Sequence, residues 1–321
     1  MSYKINQLLQ KVHTRYAMCD DGNVATYIPE LSKANPNHFG ISMVTVDGQI
    51  YEVGDVETLF TIQSISKPFS YGMALEAYGQ EKVAQHVGVE PSGDAFNSIV
   101  LEKNTNRPFN PMVNAGAITT SALLYEKFGN EAFDVLLSQF SAAAGRSLSI
   151  DQAVYESESK TGHRNRAIAH LLLNFGMVHD QVDAALDLYF KQCSIMVHTR
   201  DLATMAATLA HVGKNPITKA EVYDIESVKS ILSVMFTCGM YDFSGQWAYS
   251  VGVPAKSGVS GGIMAVVNRQ LGIASYSPKL DDHGNSCRGI AACQDIASEL
   301  GLHVFDFMNA GSSYLKVMLE Q

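Results

Sequence analysis

The chain has 321 residues, 46% of them hydrophobic, and its 23 basic and 32 acidic side chains give a formal net charge of −9 at pH 7. This composition excludes a disordered chain, and a chain of this length can bury a large core. The acidic balance and the lack of any Lys/Arg cluster argue against nucleic acid and against an anionic membrane surface as partners, which leaves an enzyme acting on a small molecule or a soluble binding protein.

The N-terminal region gives no indication of export. Residues 1–11 mix polar and apolar side chains and lack the apolar run of a signal peptide. The most apolar window, residues 168–178, is shorter than the roughly 18 residues that a membrane span needs. We therefore expect a cytoplasmic protein that has no membrane partner.

A first β-hairpin is predicted over residues 39–53. Residues 41–46 are rich in β-formers with apolar side chains on both faces, as in a covered strand. Asp47-Gly48 is typical of a two-residue type I′ turn, after which a second strand follows. A break at Gly54-Asp55 precedes a short apolar stretch, and helical character begins at about Gln63.

Residues 70–235 are predicted to be mostly helical. One helix begins at Thr199, which we predict as its N-cap, with Asp201 near the positive end of the helix dipole. Apolar residues then recur at helical spacing up to Leu209, and Gly213 is predicted at the C′ position.

Strand patterns return after about residue 248. Residues 263–267 and 271–276 are predicted to form a second hairpin around a polar turn at 268–270. The last helix is predicted from Ser286 to Leu300 and ends at Gly301.

The order of strands, helices, strands and a final helix indicates a segregated α+β fold rather than a βαβ repeat. No repeat or long linker interrupts the chain. We expect one catalytic domain over residues 1–321, with a sheet-containing part at about 1–70 and 236–321 and a mostly helical insertion at about 71–235.

A Ser-x-x-Lys pair on a helix places a nucleophile and a base on one face, as serine acyl-transfer chemistry requires. The pattern occurs three times, at Ser64/Lys67, Ser157/Lys160 and Ser313/Lys316. Only Ser64 follows a strand pattern and opens an apolar helix, where backbone N–H groups are available. Ser157 is predicted in a polar connection and Ser313 near the C-terminus, so the first pair is favoured.

The companion motif of such enzymes, Lys-[Ser/Thr]-Gly, occurs twice, as Lys160-Thr161-Gly162 and Lys256-Ser257-Gly258. The first runs into a predicted helix, whereas the second leads into the late hairpin. A strand edge can place a backbone N–H beside the nucleophile, which favours the second. On pattern alone, a coincidental match stays open, because these motifs are short.

The third motif of penicillin-recognising enzymes is missing. The chain contains neither Ser-x-Asn nor Tyr-x-Asn, although class A β-lactamases carry Ser-Asp-Asn. This absence favours a relative that acts on a different substrate.

Longer motifs follow one another from about residue 21 to 301. They are Tyr27-Ile28-Pro29-Glu30-Leu31, Gln63-Ser64-Ile65-Ser66-Lys67, Asn110-Pro111-Met112-Val113-Asn114-Ala115-Gly116-Ala117-Ile118, Ser157-Glu158 with Arg164-Asn165, Tyr189 ahead of Cys193-Ser194-Ile195, Tyr241 ahead of Ser244-Gly245, and Pro254-Ala255-Lys256-Ser257-Gly258-Val259. In these motifs and their order, nearly the whole chain resembles the serine-dependent glutaminases of the bacterial and mitochondrial type. Pro68 departs from the family pattern, but proline is tolerated early in a helix.

The resemblance implies a β-lactamase/DD-peptidase-like fold, with an antiparallel sheet flanked by helices, and hydrolysis of L-glutamine to L-glutamate and ammonia. Ser64 would attack the side-chain amide carbonyl, and Lys67 would take its proton. Tyr241 would supply a proton to the departing ammonia, and the backbone N–H groups of Ser64 and Val259 would hold the oxyanion. The supporting residues would be Lys256, Ser257 and Gly258.

The same resemblance implies a pocket for a free amino acid. Glu158 would bind the α-ammonium, while Asn114, Asn165 and Tyr189 would donate to the α-carboxylate. Tyr27 would close the pocket, and Ser64, Tyr241 and Val259 would complete it around the amide. Without the resemblance, Asn114 reads as a capping or packing residue, Glu158 as a solvated charge and the tyrosines as packing residues.

No metal and no organic cofactor are expected. The five cysteines lack C-x-x-C spacing, and the ten histidines show no ligand spacing. A glutaminase is the first hypothesis, a penicillin-recognising serine hydrolase the second, and a non-catalytic amino-acid-binding protein the third. We also expect a homo-oligomer, either a dimer or a tetramer.

Overall fold

Helices and strands follow one another in the order that the sequence pattern predicted, with additions that were not predicted, among them a 15-residue N-terminal helix and several short strands. The computed structural model describes residues 2–93, 97–179 and 181–306. The helices in these ranges are α1 (Ser2–Tyr16), α2 (Lys67–Tyr78), α3 (Gln80–His86), α4 (Asn114–Phe128), α5 (Ala132–Ala144), α6 (Gln152–Thr161), α7 (His163–Asn174), α8 (Val182–Cys193), α9 (Thr199–Ala210), α10 (Ile225–Cys238), α11 (Ser244–Ser250) and α12 (Cys287–Leu300). The strands are β1 (Asn23–Val24), β2 (Gly40–Thr45), β3 (Ile50–Gly54), β4 (Phe60–Thr61), β5 (Ser149–Ile150), β6 (Ile195–Val197), β7 (Ala255–Ser257), β8 (Gly262–Val267), β9 (Leu271–Tyr276) and β10 (Lys279–Leu280).

The central sheet has five antiparallel strands in the order β3-β2-β9-β8-β7. Both predicted hairpins are confirmed, as β2-β3 and β8-β9. Every residue of β8 and β9 is buried, so these strands are covered on both faces. The two ends of the chain therefore meet in one sheet, which brings the region of Ser64 towards the late strands.

The predicted type I′ turn between β2 and β3 is wrong. Such a turn needs a positive φ at both central residues, and of Asp47 and Gly48 only the glycine has one, at 89°. Strand pairing closes at Val44 and Ile50, and the Gly48 N–H donates to the Thr45 carbonyl at 2.9 Å. The Thr45 hydroxyl accepts from the Gln49 N–H at 3.0 Å, which stabilises a loop longer than two residues.

Helix α9 covers one face of the central sheet. At Gly272 in β9, an added Cβ would lie 2.3 Å from the Ala203 carbonyl oxygen and 2.4 Å from the Ala207 nitrogen. Only glycine permits this approach of helix backbone to strand backbone. Helices α1 and α12 cover the other face, where Leu9 and Ile296 belong to one buried apolar cluster.

The cap residues of α9 differ from the prediction. Its N-cap is His198, whose Nδ1 accepts from the Asp201 N–H at 3.1 Å while the Asp201 carboxylate accepts from the His198 N–H at 2.9 Å. This reciprocal pair makes Thr199 the first helical residue. At the other end, Val212 takes the left-handed C′ position (φ 59°), and Gly213, one residue later, donates to the Thr208 carbonyl.

The final helix begins and ends as predicted. The Ser286 side chain accepts from the Gly289 N–H, and Gly301 terminates α12 with φ 62°. None of the helices within the described ranges has the length and apolarity to cross a membrane.

Helix α2 lies at the centre of the helical part, between α4 and α10. The first nine residues of α2, from Lys67 to Leu75, are buried. A small antiparallel sheet, β4-β6-β5, joins the entry to α2 to the end of α8. The site described next lies where this helical part meets the edge strand β7.

Candidate active site

Ser64 lies at a sharp change of direction between strand and helix. Strand β4 leads into a 3₁₀ turn over Gln63–Ser66, and α2 begins at Lys67. Gln63 has a left-handed backbone with φ 49°, which is unusual for a residue with a Cβ. Ser64 itself is 6% exposed. Such a conformation at Gln63 persists only where the surrounding structure holds it.

The Lys67 amine lies one turn further on and is fully buried. Its Nζ donates to the Asn114 Oδ1 at 2.7 Å and to the Met112 carbonyl at 3.2 Å. Burial lowers the pKa of Lys67 to about 8, although negative charge at Cys193 and Glu158 acts in the opposite direction. A neutral amine at mildly alkaline pH can accept a proton from a neighbouring hydroxyl.

The other Ser-x-x-Lys pair within the described residues lies elsewhere. Ser157 and Lys160 are in α6, so the prediction of a polar connection there is wrong. Asp151 caps this helix by accepting from the Val154 N–H. An aspartate at this position is a sequence signal for the start of a helix. Ser313 and Lys316 lie outside the described residues.

Lys256 and Ser257 lie in the edge strand β7 and Gly258 follows it, so the motif leads towards the late hairpin as predicted. At Gly258 an added Cβ would lie 3.0 Å from the Ile62 carbonyl oxygen and 3.4 Å from the Gln63 Cβ. This close approach brings the following residue, Val259, towards Ser64. The loop between β7 and β8 is closed by two backbone hydrogen bonds, from the Gly258 N–H to the Gly262 carbonyl and from the Gly261 N–H to the Gly258 carbonyl. The Val259 N–H takes part in neither of them. The competing motif, Lys160-Thr161-Gly162, lies between α6 and α7.

Tyr241 joins this strand to the nucleophile. Its hydroxyl donates to the Ser257 carbonyl at 3.0 Å, and the neighbouring Ser64 side chain favours the ionised form of Tyr241. Like Gln63, Tyr241 has a positive φ, at 58°. Burial raises the pKa of Tyr241 to about 12.

A second buried lysine supports the tyrosine. The Lys256 Nζ lies 4.0 Å from the centroid of the Tyr241 ring and donates to the carbonyls of Gly239 and Ser257, each at 2.8 Å. Burial, followed by the charge of Lys67, lowers the pKa of Lys256 well below its usual value. Lys256 therefore holds the Tyr241 ring in place, together with strand β7, whose Ser257 carbonyl accepts from the Tyr241 hydroxyl.

The polar residues implied for amino-acid binding also come together. Asn114 is the first residue of α4, and its Nδ2 donates to the Asn165 Oδ1 at 2.9 Å. The Tyr189 hydroxyl donates to the Asn114 Oδ1 at 3.3 Å. Tyr27 is hydrogen-bonded to Asn165, and 41% of its surface is exposed. Tyr27 thus lies at the mouth, and the other three residues lie inside.

Glu158 is a carboxylate buried in the protein interior, 3% exposed. Its Oε2 makes no hydrogen bond to any described residue. Burial raises the pKa of Glu158 to about 8, with the charge of Lys67 opposing that effect. A buried acceptor of this kind suits a cationic ligand group, because an opposite charge favours the ionised carboxylate.

The sequence interpretation missed Cys193 and Gln192 at the end of α8. Cys193 follows Tyr189 by four residues, so both are on one helix face, and its thiol is hydrogen-bonded to Tyr189 and Ser66. Burial raises the pKa of this thiol, which disfavours the thiolate. Helical spacing from Tyr189 was the signal that could have identified it. Among the described residues, no group of three or more His, Cys, Asp or Glu could hold a metal ion.

Comparisons with known proteins show to which family the chain belongs. A model of the glutaminase family matches residues 22–305. The glutaminase of Nostoc sp. is 54% identical over 306 residues, which is 95% of this chain and 92% of that protein. Glutaminase 2 of Clostridium perfringens is 46% identical over 289 residues, with 89% and 95% coverage.

Solved structures show the same relationship. A structure described as a probable glutaminase has a TM-score of 0.90 and 39% identity, covering 95% of this chain and 99% of that chain. A probable glutaminase from Bacillus subtilis, complexed with 6-diazo-5-oxo-L-norleucine, has a TM-score of 0.84 and 36% identity, with 95% and 96% coverage. The β-lactamase-like α+β fold implied by the resemblance is therefore confirmed. The chain belongs to the glutaminase family, the amidohydrolases that convert L-glutamine to L-glutamate.

Proposed function

We propose that this protein hydrolyses L-glutamine through a glutamyl ester on Ser64. The observation that carries the proposal is the fully buried Lys67 amine one helical turn after Ser64, together with the Tyr241 hydroxyl, which the Ser64 side chain neighbours. A nucleophile, a base and a second proton carrier are thereby available around one hydroxyl.

In the first half-reaction, neutral Lys67 accepts the Ser64 proton as Oγ attacks the δ-carbonyl of glutamine. The backbone N–H groups of Ser64 and Val259 hold the oxyanion that forms. Tyr241 gives its proton to the amide nitrogen as the C–N bond breaks and ammonia leaves, and the proton held by Lys67 passes to Tyr241. In the second half-reaction, neutral Lys67 takes a proton from the water that attacks the ester carbonyl, the C–O bond to Ser64 breaks, and that proton passes to the Ser64 oxygen as glutamate is released.

The binding half of the site accounts for an amino-acid substrate. The ionised Glu158 pairs with the α-ammonium, and donors on Asn114, Asn165 and Tyr189 bind the α-carboxylate. An amide without these charged groups leaves the buried carboxylate unpaired, which disfavours its binding strongly. Tyr27 covers the entrance.

The ester is tested by rapid quenching during turnover of a γ-glutamyl ester, followed by mass spectrometry of the peptide that contains Ser64. We expect a mass increase equal to one glutamyl group on this peptide. Ser157→Ala, which changes the serine of the unused Ser-x-x-Lys pair, should give the same adduct. Full turnover with no adduct at any quench time, under conditions that make deacylation slow, would contradict the ester.

The pH profile gives a second test. We expect kcat/KM for glutamine to rise with pH and to be half-maximal near pH 8, because the pKa of Lys67 and that of Glu158 both lie at about 8. Below this pH the amine is protonated and cannot act as a base, and the carboxyl is neutral and binds an ammonium poorly. Because Lys67 and Glu158 interact, the rise of kcat/KM with pH reports the titration of the pair and is not assigned to either residue alone.

Glu158→Gln separates the two contributions. This variant should raise KM by a hundredfold or more, since breaking a buried ion pair costs about 3 kcal/mol, while kcat still rises with pH. Glu156→Gln is the control, because Glu156 is an exposed carboxylate on the same helix. A kcat/KM that is flat from neutral to alkaline pH would show that neither group titrates as proposed.

We further propose that the chain acts as one catalytic domain, in the cytoplasm, and as a homo-oligomer. All five cysteines are free thiols, which suits a reducing compartment. Sedimentation equilibrium of the purified protein decides between monomer, dimer and tetramer.

A further inference from the structure

The amide of Gln192 lies directly behind the turn that carries Ser64 and Lys67. Gln192 is on α8 and is completely buried. Its Nε2 donates to the Ser66 hydroxyl at 3.1 Å and to the Ser70 hydroxyl at 3.3 Å. Both serines are also fully buried, so these contacts are shielded from water.

Each serine hydroxyl in turn donates a hydrogen bond to a backbone carbonyl. The Ser66 hydroxyl donates to the Gln63 carbonyl at 2.7 Å, and the Ser70 hydroxyl donates to the Lys67 carbonyl at 3.1 Å. Since both hydroxyl protons are committed, the serines can only accept from Gln192. The amide must therefore present its NH₂ group to them, and its orientation is fixed by the network.

The two carbonyls belong to the residues on which the geometry of the reacting groups depends. Gln63 precedes Ser64 and has the left-handed backbone that turns the chain, and Lys67 is the base itself. Three residues before Gln192, Tyr189 contacts Asn114, which binds the Lys67 amine. Helix α8 is thus linked through Asn114 to the amine of Lys67 and through Ser70 to its backbone carbonyl.

We propose that Gln192 is a positioning residue, which sets the relative placement of Ser64 and Lys67 through Ser66 and Ser70. This inference rests on the proposed role of Ser64 and Lys67. The Gln192 Oε1 has no hydrogen-bond partner among the described residues, although it is buried. An apolar side chain of similar length would avoid burying that oxygen, so filling space alone does not account for a glutamine here.

Gln192→Met tests the proposal, because methionine keeps the length of the side chain and removes the donors. We expect kcat to fall roughly ten- to a hundredfold, as for a misplacement of reacting groups by about 1 Å. KM for glutamine should stay within about twofold, because the groups that bind the substrate are unchanged.

Gln139→Met is a matched control. The Nε2 of Gln139 also makes two hydrogen bonds, to Glu76 at 3.0 Å and to the Val222 carbonyl at 2.9 Å, near the opposite end of α2. The Gln139→Met variant should lower the melting temperature about as much as Gln192→Met does and should leave kcat unchanged. Equal effects of both substitutions on kcat would show that Gln192 is merely structural.

Two more variants keep the test valid if Gln192→Met fails to fold. Ser70→Ala leaves Gln192 in place and removes the hydroxyl that joins its amide to the Lys67 carbonyl, so we expect a loss of kcat with little change in KM. Ser66→Ala combined with Ser70→Ala should lose less kcat than the product of the two single losses, because both changes break one network. Fully multiplicative losses, or a doubly substituted enzyme with wild-type kcat, would overturn the proposal.

The proposed function and this inference can fail separately. If Ser64→Ala retains turnover, the ester mechanism is wrong, whatever Gln192 does. If Ser64→Ala is inactive and the Gln192 variants have wild-type kcat, only the positioning role is wrong.

Discussion

Replacing Ser64 by alanine is expected to lower kcat by about five orders of magnitude, because the remaining oxyanion donors and binding groups supply only a small part of such catalysis. The substitution removes one hydroxyl from a 3₁₀ turn and leaves the apolar packing of α2 intact. Melting temperature should therefore change little, and glutamine should still bind in a calorimetric titration.

The matched control for this variant is Ser157→Ala. Ser157 belongs to the same short pattern but lies in α6, so its removal should leave kcat unchanged. Substantial turnover by Ser64→Ala, measured as ammonia release after exclusion of contaminating enzyme, would eliminate the acyl-enzyme pathway.

The second large effect is expected from Lys67→Met. Methionine fills the buried volume of the stem but cannot take a proton, so kcat should fall by roughly 10³- to 10⁴-fold. The loss should persist at high pH, because no amine is left to deprotonate. A pH–rate profile of residual activity provides the measurement.

Lys256→Met makes the same change at the other buried lysine and serves for comparison. Its amine contacts the Tyr241 ring and two carbonyls rather than the Asn114 side chain. We expect a smaller loss of kcat with the acidic limb unmoved, because the charge of Lys67 lowers the pKa of Lys256 whereas Lys256 does not set that of Lys67. A Lys67→Met enzyme no worse than Lys256→Met would mean that Lys67 is not the base.

Much of this site could be predicted because its motifs are continuous in sequence. Ser64 and Lys67 are one helical turn apart, and Lys256-Ser257-Gly258 precedes a clear hairpin pattern. The resemblance to the glutaminases, carried by the longer motifs, then implied which polar residues share the pocket. Predicting that these residues lie close together required no knowledge of the packing angles between helices.

The features that were missed depend on contacts between distant segments. Gln192 meets Ser66 and Ser70 across more than a hundred residues, and no local periodicity reports such a pairing. The left-handed Gln63 is likewise imposed by its surroundings, since propensity disfavours it. Strands β5 and β6 are two and three residues long, too short for an alternating pattern.

Local chemistry explains the errors at helix ends. Thr199 is a better N-cap than His198 on average preference, but the imidazole nitrogen and Asp201 satisfy each other's backbone N–H groups. Val212 at a left-handed position would not be chosen from propensity, and the hydrogen bond from Gly213 to Thr208 holds it there.

The separation of Ser64 and Tyr241 along the chain also bears on how the protein folds. Ser64 lies in the first quarter of the chain and Tyr241 in the last, and strand β7, whose Ser257 carbonyl accepts from Tyr241, follows the helical part in chain order. Contacts of such wide sequence separation form late, because the loop between them must close first. Helices such as α9, whose bonds are local, form well before this. During refolding, recovery of hydrolysis therefore follows the recovery of helical signal and reports the completed native state.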